Sequence, residues 1–215
     1  ESFSGLLSSI ELSLAELVGN IEQGGGAQAI EAMAEATAVL VAADEGEFRV
    51  RCGAVWIGAT RAATAAHCVA ELGPVMVQTH QYMVDHEGRI DEAFVAEVVA
   101  LDEAHDLAII EVSVDTSHGV ATLAAEPMIV GQIGHVMGHT AGMAYSYGPA
   151  HVGSRRMVDG PTGRVDAYQT WSPAWHGNSG SGLWNARGEL VGICSFLASG
   201  SPLSFFVTVD YLRNL

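Results

Sequence analysis

The feature that most constrains this chain is a change of pattern at Thr37. Beyond it, apolar residues come in short runs at 38–42, 50–57, 75–84, 94–100, 107–112, 129–137 and 190–196. Each run is strand-length and rich in valine and isoleucine, and several are bounded by glycine or aspartate, as strands between tight turns are. No three-and-four spacing separates them, and no repeat of fixed period is present. Many short strands in succession predict an all-β architecture, a barrel or a sandwich. The 25 glycines suit a fold with many turns, and 215 residues that are 49% hydrophobic can fill one core or two small lobes. The stretch 205–215 reads as a strand leading into a short terminal helix.

Residues 1–36 follow another pattern. Leu6, Ile10, Leu14, Leu17 and Ile21 recur three and four apart, which predicts an amphipathic helix with Ser4 as its N-cap. Gly24, Gly25 and Gly26 interrupt it, and a short Ala/Glu-rich helix is expected to follow through Glu35. Two readings of this helical extension stand: a segment packed on the domain, or one that contacts a partner or the rest of a larger chain. The start at Glu1, with no basic residues ahead of an apolar run, predicts a processed or trimmed product without a signal peptide. No run of about 18 apolar residues is present, so no membrane span is expected.

The formal charge, 9 − 25 = −16, argues against nucleic acid as a partner, since phosphate backbones are held by clusters of cations. All nine cations are arginines; lysine is absent. Three cysteines cannot all pair internally. Cys52 and Cys68 can bridge and leave Cys194 over, or all three can remain reduced, as a cytosolic setting would favour.

Three local signals carry chemistry: Thr64-Ala65-Ala66-His67-Cys68, then His105-Asp106-Leu107-Ala108, then Gly177-Asn178-Ser179-Gly180. A serine hydroxyl is a weak nucleophile and needs a base to take its proton. Histidine titrates in the right range for that task, and a buried carboxylate orients the imidazole and stabilises its charged form. Glycines beside the serine let backbone N–H groups converge on a developing oxyanion. Each signal alone is common; together, in the order His, Asp, Ser, they point to one site.

In this combination the sequence resembles the chymotrypsin-like serine proteases, in their trypsin-like, HtrA/glutamyl-endopeptidase or viral-protease branches. Residues 64–68 match the family's Thr-Ala-Ala-His-Cys segment at every position, and Asp106-Leu107-Ala108 and 177–180 match its aspartate and serine segments. The resemblance spans 37–215 and implies two six-stranded antiparallel β-barrels with the active site between them. The expected division is a helical extension at 1–36, a first barrel at 37–120 with His67 and Asp106, and a second at 121–215 with Ser179. It implies a serine endopeptidase acting on polypeptides through an acyl-enzyme on Ser179, with Gly177 and Ser179 N–H groups as the oxyanion hole and no cofactor. Cys52 precedes Cys68 by 16 residues, the separation at which the family places a disulfide beside its histidine.

The segment 192–196 resembles the strand lining the family's primary specificity pocket. By that match Ser195 hydrogen-bonds Asp106, the strand backbone pairs with the substrate, and Pro173, Ala174, Phe196, Leu197 and Ser204 line the pocket. Pro173 stands where trypsin-like members carry an acid, which argues against basic side chains. Cys194 stands where Glu-preferring relatives often have histidine, and Leu197 replaces a small residue, which predicts a small or apolar side chain in the pocket. Asn178 replaces the aspartate that pairs with a new N-terminus in digestive enzymes, so no activation of that kind is expected. His135 and His139, four apart in a strand-like stretch, lack the helix and glutamate of a zinc motif. The acidic stretch with Asp85, Glu87, Asp91 and Glu92 reads as a solvated loop rather than a calcium loop. A binding or structural module that keeps the barrels without turnover is the alternative. For setting, a secreted or periplasmic protease or a domain released from a viral polyprotein is favoured over a plain cytoplasmic one.

Overall fold

The computed structural model describes residues 25–44, 46–71, 74–87, 89–113, 118–160, 163–172, 176–198 and 200–215. The amphipathic pattern at 4–21, together with Pro173 and Ala174, lies outside the described residues.

The chain enters through helix α1 (Gly25–Glu35), the Ala/Glu-rich helix expected there. The Thr37 hydroxyl donates to the Met33 carbonyl and closes the helix end, where the first strand begins. Strands β1 (Thr37–Asp44), β2 (Glu47–Trp56), β3 (Arg61–Thr64), β4 (Met76–Thr79), β5 (Phe94–Asp102) and β6 (Leu107–Val112) close into one antiparallel barrel in the order β1-β2-β3-β6-β5-β4. Strands β7 (Ile133–Gly138), β8 (Ser146–Asp159), β9 (Arg164–Trp171), β10 (Gly182–Trp184), β11 (Leu190–Leu197) and β12 (Leu203–Thr208) close the second, in the order β10-β11-β12-β9-β8-β7. This is the two-barrel architecture that the sequence resemblance implied.

Two predicted runs end differently. The run at 75–84 is a strand only as far as Thr79, after which helix α3 (His80–Asp85) begins. Helix α2 (Ala66–Glu71) precedes β4. The Thr79 hydroxyl accepts the Tyr82 N–H and so caps α3, turning an apolar run that would otherwise extend the strand. The run at 129–137 becomes strand only from Ile133, because Gly131 takes a left-handed turn at φ +93°. The last strand is followed by a single 3₁₀ turn at Leu212–Asn214.

Burial joins the two barrels. Met33 of α1, Val55 and Leu107 of the first barrel, and Trp184, Ile193 and Val207 of the second belong to one apolar cluster and are at most 2% exposed. Each such side chain contributes about 1.5–3 kcal/mol on removal from water, so the cleft between the barrels has a shared rigid floor. A second tie lies at the rim, where the His105 ring stacks on Tyr211 at 3.8 Å and its Nδ1 lies 2.6 Å from Asp102.

Candidate active site

Strand pairing brings His67 and Asp106 together. Strands β3 and β6 run antiparallel with Thr64 opposite Ala108, and the ladder continues two residues further as the Ala66 N–H donates to the Asp106 carbonyl at 3.1 Å. His67 therefore stands in the first turn of α2 just where the turn before β6 delivers Asp106. That turn holds Asp106 at φ +54°, a left-handed conformation that aspartate tolerates better than most residues. The Asp106 carboxylate accepts the His67 backbone N–H at 2.9 Å, and His67 Nδ1 lies 2.9 and 3.0 Å from its two oxygens. The Ser195 hydroxyl, from β11 of the other barrel, also donates to it. Asp106 is 1% exposed. Burial pushes its carboxyl up, but the His67 ring, Ser195 and the His67 backbone N–H outweigh this and hold it below its ordinary value.

Ser179 lies across the cleft in the loop that precedes β10. Its carbonyl accepts the Gly53 N–H at 2.7 Å from the first barrel, and the next N–H, of Gly180, donates to the Cys194 carbonyl at 2.7 Å. Gly177 sits at φ +97°, and a Cβ there would run into the His139 carbonyl oxygen, so only glycine fits. Among the described residues, no hydrogen bond takes the N–H of Gly177 or of Ser179. A cavity of about 520 Å³ opens here, with Arg51, Cys52, His67, Cys68, Gly177 and Ser179 in its wall. Cys52 and Cys68 are joined by a disulfide, and Cys68 Sγ lies 3.8 Å from His67 Nε2.

Behind the serine loop stands a residue considered in the sequence only for metal binding. His139 is fully buried, its Nε2–H donates to the Ala38 carbonyl at 2.9 Å, and its Nδ1 accepts the Tyr145 N–H at 3.2 Å. Burial pushes its pKa down to about 4, so it is neutral and locked in one tautomer. Its backbone N–H donates to Asn178 Oδ1 at 2.9 Å, and Asn178 Nδ2 donates to Thr140 Oγ1 at 3.0 Å. The Ala141 N–H donates to the His176 carbonyl at 2.8 Å. The 3₁₀ turn Thr140–Gly142 thus buttresses the loop that carries Ser179. Nothing in the linear order links 139 to 178, because the link runs from the His139 backbone N–H, just past β7, to the Asn178 side chain in the loop before β10.

The other residues that the resemblance assigns to the specificity pocket are placed as follows. Phe196 stacks on Phe205 with ring centroids 4.6 Å apart, and Leu197 follows it, half-buried. Ser204 is buried and its hydroxyl accepts from Ser172 at 3.0 Å, which lies 3.1 Å from the Thr170 hydroxyl. Cys194 is buried and free, and burial together with the Asp106 charge pushes its thiol up to about 12, leaving it inert. Among the described residues, the one group of His, Cys and carboxylates close enough for a metal ion is Cys52, His67 and Cys68, whose sulfurs are committed to the disulfide. Among the described residues no helix is long and apolar enough to cross a membrane.

Comparison with known proteins bears on this arrangement at several levels. The serine endoprotease DegS of Haemophilus influenzae is 29% identical over 154 residues, covering 65% of this chain and 45% of its own length. The chain thus spans about half the length of the curated relative it matches. Among solved structures, the M. tuberculosis protease Rv3671c in its active form superposes with a TM-score of 0.74 at 22% identity, over 86% of this chain and 81% of that one. The HtrA-type protease AlgW with a decapeptide gives 0.72 at 20% identity, over 87% and 65%. These structural likenesses establish the fold. The model of the trypsin-like peptidase domain matches residues 37–193, from the first strand of the first barrel to β11, and the chain belongs to that family.

Proposed function

We propose that the chain is a serine endopeptidase that cleaves polypeptides through an acyl-enzyme on Ser179. The observation that carries this reading is the buried Asp106 carboxylate, held by His67 and Ser195, with His67 and Ser179 in the wall of one cavity. Asp106 accepts the Nδ1–H of His67 and leaves Nε2 to take the Ser179 proton. The hydroxyl oxygen then adds to the scissile carbonyl, and the Gly177 and Ser179 N–H groups stabilise the oxyanion. His67 returns the proton to the departing amine, and a water repeats the sequence to release the acid. Asn178 keeps the loop in place through neutral hydrogen bonds to His139 and Thr140, which supports an oxyanion hole that needs no new N-terminus.

A fluorophosphonate probe followed by peptide mapping tests the reading. Labelling is expected on Ser179, absent in Ser179→Ala and weak in His67→Ala. A folded wild-type protein that takes no label, with or without added peptide, would turn the assignment toward a binding module built on the same barrels.

A further inference from the structure

The cavity that holds Ser179 and His67 has a basic corner that the catalytic steps do not use. The β1–β2 ladder pairs Leu40 with Cys52 and then Val41 with Val50, so Arg51 is the extra residue of a β-bulge. Bulges re-aim a side chain out of a strand's regular alternation and gather beside active sites. This one lies immediately before Cys52, whose disulfide partner sits 3.8 Å from His67 Nε2. Among the described residues, the ionic partner of Arg51 is Asp44 at 3.9 Å, which Arg49 shares at 3.4 Å. Two guanidinium groups on one carboxylate leave a positive charge over. No carboxylate is among the described residues lining the cavity, in a chain whose 25 acids outnumber its nine arginines.

The direction of the proton identifies which half of a substrate meets this corner. Nε2 hands its proton to the leaving amine, so the departing segment passes over the Nε2 side of the ring, where the disulfide and Arg51 stand. The acyl half pairs with β11, and none of that strand's described residues lines this cavity. We infer that Arg51 selects substrates with an acidic residue, Asp or Glu, within the first two positions of the leaving-group segment. This rests on the acyl-enzyme reading above. The charge of −16 does not oppose it, because distant surface charges are screened over about 8 Å in physiological salt while a contacting guanidinium is not. Arg51 is 48% exposed at its side chain, so selection of Asp over Asn is expected to be about two- to fivefold.

The leaving-group side can be read without knowing the preferred acyl residue, by running the first half-reaction in reverse. Acetylate Ser179 with p-nitrophenyl acetate, which releases p-nitrophenol, and let amines compete with water for the acetyl group. The amine nitrogen attacks the ester carbonyl and gives its proton to His67; collapse expels the Ser179 oxygen, which takes that proton back. Asp-Gly, Asn-Gly and Lys-Gly amides probe the first position, and Gly-Asp, Gly-Asn and Gly-Lys amides the second. The ratio of acetylated peptide to acetate is fixed after acylation, so a changed acylation rate does not move it. Wild type is expected to favour the Asp nucleophile over Asn and Lys at one of the two positions, less so in high salt. Arg51→Lys keeps that order, Arg51→Ala abolishes it, and Arg51→Glu inverts it toward Lys. A normal burst of p-nitrophenol with the amides captured equally, or not at all, would overturn the inference alone. So would a preference for Asp that persists in Arg51→Glu. No burst at all would overturn the acyl-enzyme reading, and the inference with it.

Discussion

Gly180 is where the two barrels touch beside Ser179, and replacing it by alanine should be costly for two separable reasons. Its φ of +81° lies in the left-handed region, and an added Cβ would run into the Gly53 carbonyl oxygen and the Thr64 hydroxyl. Those two groups are bonded to each other at 2.7 Å in the buried wall of the first barrel, so neither can swing away freely. The backbone conformation costs an L-residue about 1–2 kcal/mol, and forcing a methyl into a packed contact costs about 1–3 kcal/mol. Alanine recovers about 0.4–1 kcal/mol by restricting the unfolded chain, which leaves a net loss of roughly 2–4 kcal/mol. Gly131 provides the control: its φ is +93° and nothing lies within 4 Å of its Cβ position. Gly131→Ala should therefore show the backbone cost alone, about 1 kcal/mol after the same offset. Urea denaturation of both variants measures the two terms. Probe labelling should slow in folded Gly180→Ala, since the bonds from Gly53 to Ser179 and from Gly180 to Cys194 flank the nucleophile, and stay at the wild-type rate in Gly131→Ala. Equal costs for the two glycines, or wild-type labelling of Gly180→Ala, would refute this account of the serine loop.

Two further expectations rest on single side chains. Replacing both Cys52 and Cys68 by alanine opens a loop of 16 residues and should cost about 3 kcal/mol in urea denaturation, with reductant then making no further difference. His139 bears on pH: it titrates at 6.5 when unfolded and at about 4 when folded, so between these values the unfolded chain binds a proton that the folded one refuses. Stability must then fall as pH falls, by about 2 kcal/mol from this residue between pH 7 and 5. His80 and His135, also lowered by burial, act with the same sign. His139→Gln should lose correspondingly less between the two pH values, and equal losses in both proteins would show that His139 is charged when folded. Asp106 acts in a separate window, since its depressed carboxyl adds stability above pH 3.8 that is lost only below it.

What was legible in the sequence was whatever is local. The motifs around His67, Asp106 and Ser179 could be read because each packs a reactive side chain and its supporting residues into a few consecutive positions. An all-β architecture could be read from runs rich in valine and isoleucine, and the two barrels only from the family resemblance. Strands β8 and β9 were not, because the stretch Ser154-Arg155-Arg156 breaks the apolar run although it pairs with Gln169, Tyr168 and Ala167 in a long hairpin. The strand-to-helix switch at Thr79 depends on one hydroxyl reaching one N–H, which competes with an apolar run that suits a strand equally well. The Arg51 bulge was illegible in principle, since a residue is extra only relative to the partner strand.

The support of the loop that carries Ser179 shows how such non-local features combine. A neutral imidazole can donate from one nitrogen and accept at the other, and His139 does so between the Ala38 carbonyl and the Tyr145 N–H. An asparagine can likewise accept and donate at once, and Asn178 does so between the His139 N–H and the Thr140 hydroxyl. A latch made of neutral groups needs no counter-charge in a buried place, where an unpaired ion costs far more than an unpaired dipole. Its weakness is acid. Protonating His139 would put a donor where the Tyr145 N–H already donates, and His139 begins to disfavour the folded state below pH 6.5, well above the range in which Asp106 gives up its charge. Mild acid should therefore lower the stability of the fold through His139 before it takes the charge from Asp106.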